Sequence, residues 1–291
     1  MFTKIKIFLE MIKFEHSVFA LPFAFMGAIL GSVVLNGHLP SWMQILWVTL
    51  AMVGARTAAM SLNRVIDKAI DKKNPRTENR AIPAGLISSK QVFIYILLSF
   101  ALLFWATSNL SSLSMKLLPI AVFFLVFYSY TKRFTWACHF VLGLTLGLAP
   151  LGGWIAVTGQ FTWASIIFYL TVVCWSTGFD LIYACQDADF DREEGLYSLP
   201  SRFGIKAALN TARVLHALTA VGLITLFFMT HLSWFYLIGL VIAYFLLYKE
   251  HRLVSPNDLS KLNAAFFTMN GVLSLVVFAF TLLDVFVRQH I

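Results

Sequence analysis

Asn63, Asp67 and Asp71 recur every four residues in the polar stretch NRVIDKAIDKKNPRTENRAIPAGLISSKQ, residues 63–91. On a helix that spacing places an amide and two carboxylates on one face, about 6 Å apart per step. Lys72, Lys73, Arg76 and Arg80 follow directly. Hard oxygen ligands followed by a cluster of cations can hold a divalent metal and a polyanion together, because magnesium prefers one or two carboxylates plus phosphate oxygens and guanidinium groups clamp the remaining phosphate charge.

A second acidic stretch, FDLIYACQDADFDREEGLYSLPSRFG at 179–204, places Asp180, Asp187 and Asp191 at i, i+7 and i+11, one face of a continuing helix. Asp189 points elsewhere and reads as a solvated surface carboxylate. Either acidic row alone could be a helix cap. Two rows with basic neighbours instead suit a metal-bridged diphosphate, with Asp67/Asp71 opposing Asp187/Asp191 and Asn63 adding a neutral oxygen. Lys132 stands four residues after Tyr128 and fits either a phosphate contact or membrane anchoring; Arg133 reads as anchoring. Arg56 and Asp180 fall inside apolar runs, where a charge costs on the order of 2.5–3.5 kcal/mol unless it meets a cavity or a partner. Arg56 lies seven residues before Asn63, about 10 Å deeper on the same face, and could hold a substrate carboxylate. The alternative is an ion pair between Arg56 and Asp180.

Apolar helices must position these groups. The 291 residues are 59% hydrophobic and only 12% charged, with a mean hydropathy of +0.79, against about 25% charged for a soluble domain. Apolar runs of about 20 residues predict an all-α polytopic membrane protein, a single transmembrane domain over 1–291 built around a central cavity. Nine spans are expected near 17–36, 43–63, 92–108, 117–131, 139–157, 162–184, 212–230, 234–248 and 264–287. With the N-terminus inside, 19 of the 22 Lys and Arg fall on the inner side and only Lys116 and Arg288 outside, Arg56 lying within a span. That puts both acidic stretches on the cytoplasmic side of a cytoplasmic (bacterial inner) membrane. Glu10, Glu15 and His16 interrupt the N-terminal run, which reads as retained and not as a signal peptide. Cys138, Cys174 and Cys185 have no CxxC spacing and read as buried free thiols. The net charge of +8 belongs to the membrane surface and not to a nucleic-acid partner. Most of the 28 Phe are packing and lipid-facing surface, though some could line a cavity and face a carbocation.

NRVIDKAIDKKNPRTENRAIPAG resembles the first aspartate-rich motif of the UbiA superfamily of intramembrane aromatic prenyltransferases, NDxxDxxxD. DLIYACQDADFD is similar to its second, DxxxD, and YSYTK at 128–132 to its YxxxK element; HSVFALPFAF at 16–25 and the nine-span count agree. The resemblance implies Mg2+-dependent transfer of a polyprenyl group from its diphosphate to a ring carbon of an aromatic acid, with membrane lipid as the surroundings. Under it, Asn63, Asp67, Asp71, Asp187 and Asp191 would hold magnesium and diphosphate, and Lys73, Arg76, Arg80, Tyr128 and Lys132 would bind phosphate oxygens. Arg56 and Asp180 match charged positions of the hydroxybenzoate-type enzymes, Asp180 as a group that orients the acceptor or takes its ring proton. Arg64 departs from the motif, standing where the first aspartate is expected. The expected activity is prenylation of 4-hydroxybenzoate in ubiquinone or menaquinone biosynthesis. The alternatives are a dihydroxynaphthoate-type acceptor or, from another class, an ion or polyanion transporter, whose coupling sites would lie near the bilayer midplane.

Overall fold

The computed structural model describes residues 2–13 and 21–290, so part of the HSVFALPFAF segment, with Glu15 and His16, lies outside the described residues. Helices appear in the order α1 (Phe2–Met11), α2 (Leu21–Asn36), α3 (Trp42–Ile66), α4 (Lys68–Lys73), α5 (Ser89–Ser108), α6 (Ser112–Thr131), α7 (Cys138–Thr158), α8 (Trp163–Ala184), α9 (Ala188–Glu193), α10 (Leu199–Phe203), α11 (Ile205–Met229), α12 (Trp234–Leu253) and α13 (Asn270–His290). Among the described residues, nine of these are long membrane-type helices: α2, α3, α5 to α8 and α11 to α13. Among the described residues seven are long and apolar enough to cross a bilayer by themselves; the 16 described residues of α2 fall short of that length, and α12 is not among the seven. The protein is an all-α polytopic membrane protein.

Local sequence sets where the helices begin. Ser41 with Gln44, Ser88 with Gln91 and Thr162 with Ser165 form reciprocal capping boxes at α3, α5 and α8. Each satisfies two backbone donors that the first turn leaves unpaired. Small residues then decide which helices touch. A Cβ on Gly27 of α2 would lie 2.0 Å from the Pro150 carbonyl oxygen, and one on Gly153 of α7 would lie 2.1 Å from that of Ala24. The two backbones therefore meet through reciprocal glycines, the packing that apolar solvent favours when it supplies no hydrophobic drive between helices.

Several spans differ from the sequence reading at their ends. Helix α6 begins at Ser112 and not near 117, and α11 at Ile205 and not near 212, because polar first turns continue the helix past the apolar core. The last span opens with a π-helical turn, Ala264–Met269, that stacks Phe266 on Tyr183 of α8 at 4.2 Å between ring centres. The three cysteines are free, but only Cys185 is buried; Cys138 and Cys174 are half-buried.

The amphipathic α1 packs on the α3–α5 side of the bundle. It buries Phe8 and Met11, together with Ile12, against Ile82, Ile87, Val92 and Ile96, and Phe8 stacks on Tyr95 at 4.3 Å. Its C-terminal carbonyls are taken by arginines of α3: Arg64 Nε donates to Met11 O and Arg56 Nη2 to Lys13 O, each at 3.2 Å. In the other half of the bundle, Glu250 of α12 is fully buried. It accepts from Asn270 Nδ2 at 2.7 Å, and its second oxygen lies 3.5 Å from His216 Nδ1; Asn270 in turn accepts from Trp175 Nε1 at 2.7 Å.

Candidate active site

The helix carrying the first acidic row does not run straight through it. Helix α3 ends at Ile66, Asp67 adopts φ −87° and ψ 2°, and α4 starts at Lys68. The i to i+4 bonds continue across the break, from Asp67 N to Asn63 O and from Asp71 N to Asp67 O, so the three side chains remain neighbours. The second row is likewise not one helix face. A 3-10 turn, Cys185–Asp187, separates α8 from α9 and rotates Asp187 and Asp191 relative to Asp180.

These two breaks bring the rows together at one end of the bundle, where basic side chains knit them. Asp67, 2% exposed, accepts from Lys132 Nζ at 2.7 Å and from Asn63 Nδ2 at 3.0 Å on Oδ2, and from Arg133 Nη2 at 2.9 Å on Oδ1. Asp71, 4% exposed, takes both of its bonds from Arg80 Nη1, at 2.7 and 2.9 Å. Asp187 is gripped across the two rows by the Arg76 fork, Nε to Oδ1 at 2.9 Å and Nη2 to Oδ2 at 2.6 Å, with Asn74 Nδ2 adding a third bond at 3.1 Å. Burial lowers the pKa of Arg76, but the hydrogen bonds and charge of Asp187 outweigh that, and the net displacement is upward. Lys73 crosses to Glu194 at 2.6 Å; both ends are substantially exposed, so that pair contributes little stability. Asp191 stands within electrostatic range of Asp187, Lys132 and His139.

Tyr128 and Arg56 line one end of a half-open cavity of about 390 Å³ bordered by α3, α5, α6 and α7. The rest of its wall is almost wholly apolar, including Val48, Met52, Leu118, Leu125 and Leu146. Tyr128 donates its hydroxyl to Ala59 O at 3.2 Å. Arg56 and Asp180 do not pair with each other. Arg56 reaches Lys13 O, and Asp180 bonds His139 Nδ1 at 2.7 Å. The arrangement can hold a polyanion at a mixed-charge rim and an apolar chain in the cavity beneath it.

Residues 20–272 match the sequence model of the UbiA prenyltransferase family. The chain belongs to the UbiA prenyltransferase family. It is 26% identical over 265 residues, 90% of each chain, to a 4-hydroxybenzoate octaprenyltransferase of Francisella tularensis subsp. tularensis. Among solved structures, the apo form of a UbiA homolog from Aeropyrum pernix K1 superposes with a TM-score of 0.83 at 26% identity, covering 93% of this chain and 98% of the other. A UbiA homolog from Archaeoglobus fulgidus bound to DMAPP and Mg2+ shares the fold, with a TM-score of 0.75 at 18% identity over 96% of this chain and 99% of that one.

In this UbiA-family chain four residues at the rim escape the sequence reading. Arg133, read as a membrane anchor, is bonded to Asp67, Ile66 O and Ser129 O. Asn74 and Glu194 hold Asp187 and Lys73, and His139 holds Asp180. Only the regular spacing of Asn74 three residues after Asp71 could have pointed to one of them. Asp189 is the solvated carboxylate expected, 86% exposed and paired with Arg192.

The donor set also bears on magnesium. Among the described residues no three His, Cys, Asp or Glu side chains come together as a ready-made metal cage. The two rows instead present carboxylates of which Asp67 and Asp71 are buried, and Asp67, Asp71 and Asp187 already hold cations. Such a rim fits a magnesium ion that takes one or two carboxylates and completes its octahedron with phosphate oxygens and water. It does not fit a metal bound by protein ligands alone. Arg64, 8% exposed and directed to the Met11 carbonyl, adds a fixed positive charge beside Asp67 and Asp71 where the family motif has an acid.

Proposed function

We propose that this protein transfers a polyprenyl group from polyprenyl diphosphate to a ring carbon of a 4-hydroxybenzoate-type aromatic acid, with Mg2+ as cofactor. The observation that carries this reading is the rim of paired charges set over an apolar cavity, with Arg56 and Tyr128 at their junction. The Francisella relative, named for octaprenyl transfer to 4-hydroxybenzoate, and the Archaeoglobus homolog holding DMAPP and Mg2+ support it. A transporter reading suits it poorly, since both acidic rows lie at the end of the bundle.

Asn63, Asp67, Asp71, Asp187 and Asp191 are the residues that would hold magnesium and, through it, the diphosphate. Bound there, the ion supplies positive charge to the oxygens on which the leaving pair of electrons develops. Lys132, Arg76, Arg80 and Lys73 donate to the remaining diphosphate oxygens, which replace the carboxylates as their partners. The prenyl C–O bond breaks with its electrons going to diphosphate. The apolar cavity keeps water from the allylic cation, so that the electron-rich ring is the nucleophile that reaches it. Arg56 holds the acceptor carboxylate. The new C–C bond leaves the ring carrying an extra proton, which passes to Asp180, held in place by His139. The rim and both motifs face the cytoplasm on this reading, consistent with the distribution of Lys and Arg.

The test is mass spectrometry of products from purified protein given geranyl or octaprenyl diphosphate, Mg2+, and either 4-hydroxybenzoate or a dihydroxynaphthoate. Prenylated hydroxybenzoate, abolished by a chelator, is expected. Product only with the bicyclic acid would reassign the acceptor, and no product with any pair of substrates would overturn the transfer reading.

A further inference from the structure

We infer that Tyr183 is a further ligand for the diphosphate of the donor, giving it a hydrogen bond from a neutral hydroxyl that Arg76 and a π-helical turn hold in place. The inference rests on the proposed use of a prenyl diphosphate. Tyr183 lies on α8 between Asp180 and Asp187 and is half-buried. Arg76, the guanidinium that forks onto Asp187, also reaches it: Nη1 donates to Tyr183 Oη at 3.2 Å, and Cζ lies 5.4 Å from the centre of the ring. A guanidinium has donors only. The tyrosine oxygen is therefore the acceptor in that bond, and its own hydrogen is directed elsewhere. Among the described residues that hydrogen has no acceptor.

The ring is held by the last span. Phe266 stacks on it with ring centres 4.2 Å apart and planes at 31°, and Phe267 meets it edge-on at 5.9 Å. Phe266 also packs edge-on against Phe179, one turn earlier on α8, at 5.3 Å. Adjacent residues of an α-helix diverge by about 100°; here both rings meet Tyr183 from the π-helical segment Ala264–Met269. Such segments recur at functional sites. The aromatic contacts fix where the hydroxyl sits, and Arg76 fixes which way its hydrogen faces.

In the proposed reaction the diphosphate takes Arg76 from Asp187. A phosphate oxygen that meets the Arg76 fork then meets the hydroxyl beside it, already polarised by the N–H bond to its oxygen. Unlike the lysines and arginines of the rim, Tyr183 adds a donor without adding charge, so it competes with no ion pair there. A ring that only propped Arg76 would do so equally well without its hydroxyl.

The experiment titrates geranyl diphosphate with Mg2+ into the full-length protein in detergent, by calorimetry, on wild type, Tyr183→Phe and Phe266→Leu. Tyr183→Phe keeps the ring and its stacking. It is expected to raise the Kd for geranyl diphosphate roughly tenfold, leaving the melting temperature and the KM for the aromatic acceptor unchanged. Phe266→Leu, which keeps the hydroxyl and loosens the ring, is expected to fall between the two. A Kd in Tyr183→Phe within about twofold of wild type overturns the assignment, whatever Phe266→Leu does. A loss of affinity that comes with a lowered melting temperature and an equally raised acceptor KM marks a structural role and overturns it too. Because binding is read without turnover, the two readings separate. Wild type that binds geranyl diphosphate through Tyr183 but prenylates no acceptor removes the transfer and leaves the ligand; a normal Kd in Tyr183→Phe beside an active wild type removes the ligand and leaves the transfer.

Discussion

At the scale of single residues, the rim is a set of carboxylates shared among cations, and its most connected member is Asp67. Two full charges and an amide converge on it, and Arg133 adds two backbone carbonyls to its own reach. Arg133 is thus a positioning residue for Asp67. Losing a partner that orients a ligating carboxylate typically costs about 10–100-fold in metal affinity or activity. Arg133→Gln is expected to fall in that range and to weaken Mg2+-dependent diphosphate binding in parallel, measured by calorimetry. Arg192→Gln, whose partner Asp189 is solvated, should stay within about twofold; equal losses in the two variants would contradict the assignment. The acidic rows and the Arg76–Arg80 cluster were legible in the sequence because ligand types at helical spacing carry their own signal. Arg133 was not, since beside Lys132 at a helix end it has the composition of any membrane anchor, and only tertiary contact distinguishes it. His139 was hidden for the same reason: a lone histidine at the start of an apolar helix carries no information until Asp180 is placed beside it.

At the scale of elements, α1 is held to α3 by the bond from Arg64 to Met11 O and that from Arg56 to Lys13 O, and by a patch of apolar contact. A hydrogen bond from a charged donor contributes about 1.5–3 kcal/mol. Arg64→Met should therefore speed amide exchange in residues 2–12 by roughly 10–100-fold while leaving exchange in α7 unchanged; unaltered protection of α1 would refute the tie. The sequence placed the long helices within several residues, because 20-residue apolar runs are local. It read each acidic row as one helix face; the first row keeps its i to i+4 bonds across Asp67, whereas a 3-10 turn interrupts the second. The turn at Cys185–Asp187 lies where Asp187 meets Arg76, a tertiary charge pairing that periodicity does not contain.

At the scale of the whole molecule, polar groups are used in two ways. At the rim both halves of the bundle contribute them, Asp67 from the end of α3 and Asp187 from the turn after α8. Elsewhere Glu250, His216, Asn270 and Trp175 form one buried network spanning α8, α11, α12 and α13. No run of apolar residues revealed this, since Glu250 reads as part of the polar end KEHR of α12. The network sets an order of events during synthesis. Glu250 lies in the last turn of α12 and takes its hydrogen bond from Asn270, the first residue of α13, so the buried carboxylate stays costly until that residue reaches it. As the ribosome releases the chain, α12 is then expected to wait at the membrane and enter with α13 as a hairpin. Nascent chains ending before Asn270 should leave α12 largely uninserted, as read by glycosylation acceptors placed in the loops flanking it. Glu250→Leu should let it enter alone, and efficient entry of the unmodified truncated chain would show that the carboxylate imposes no such delay.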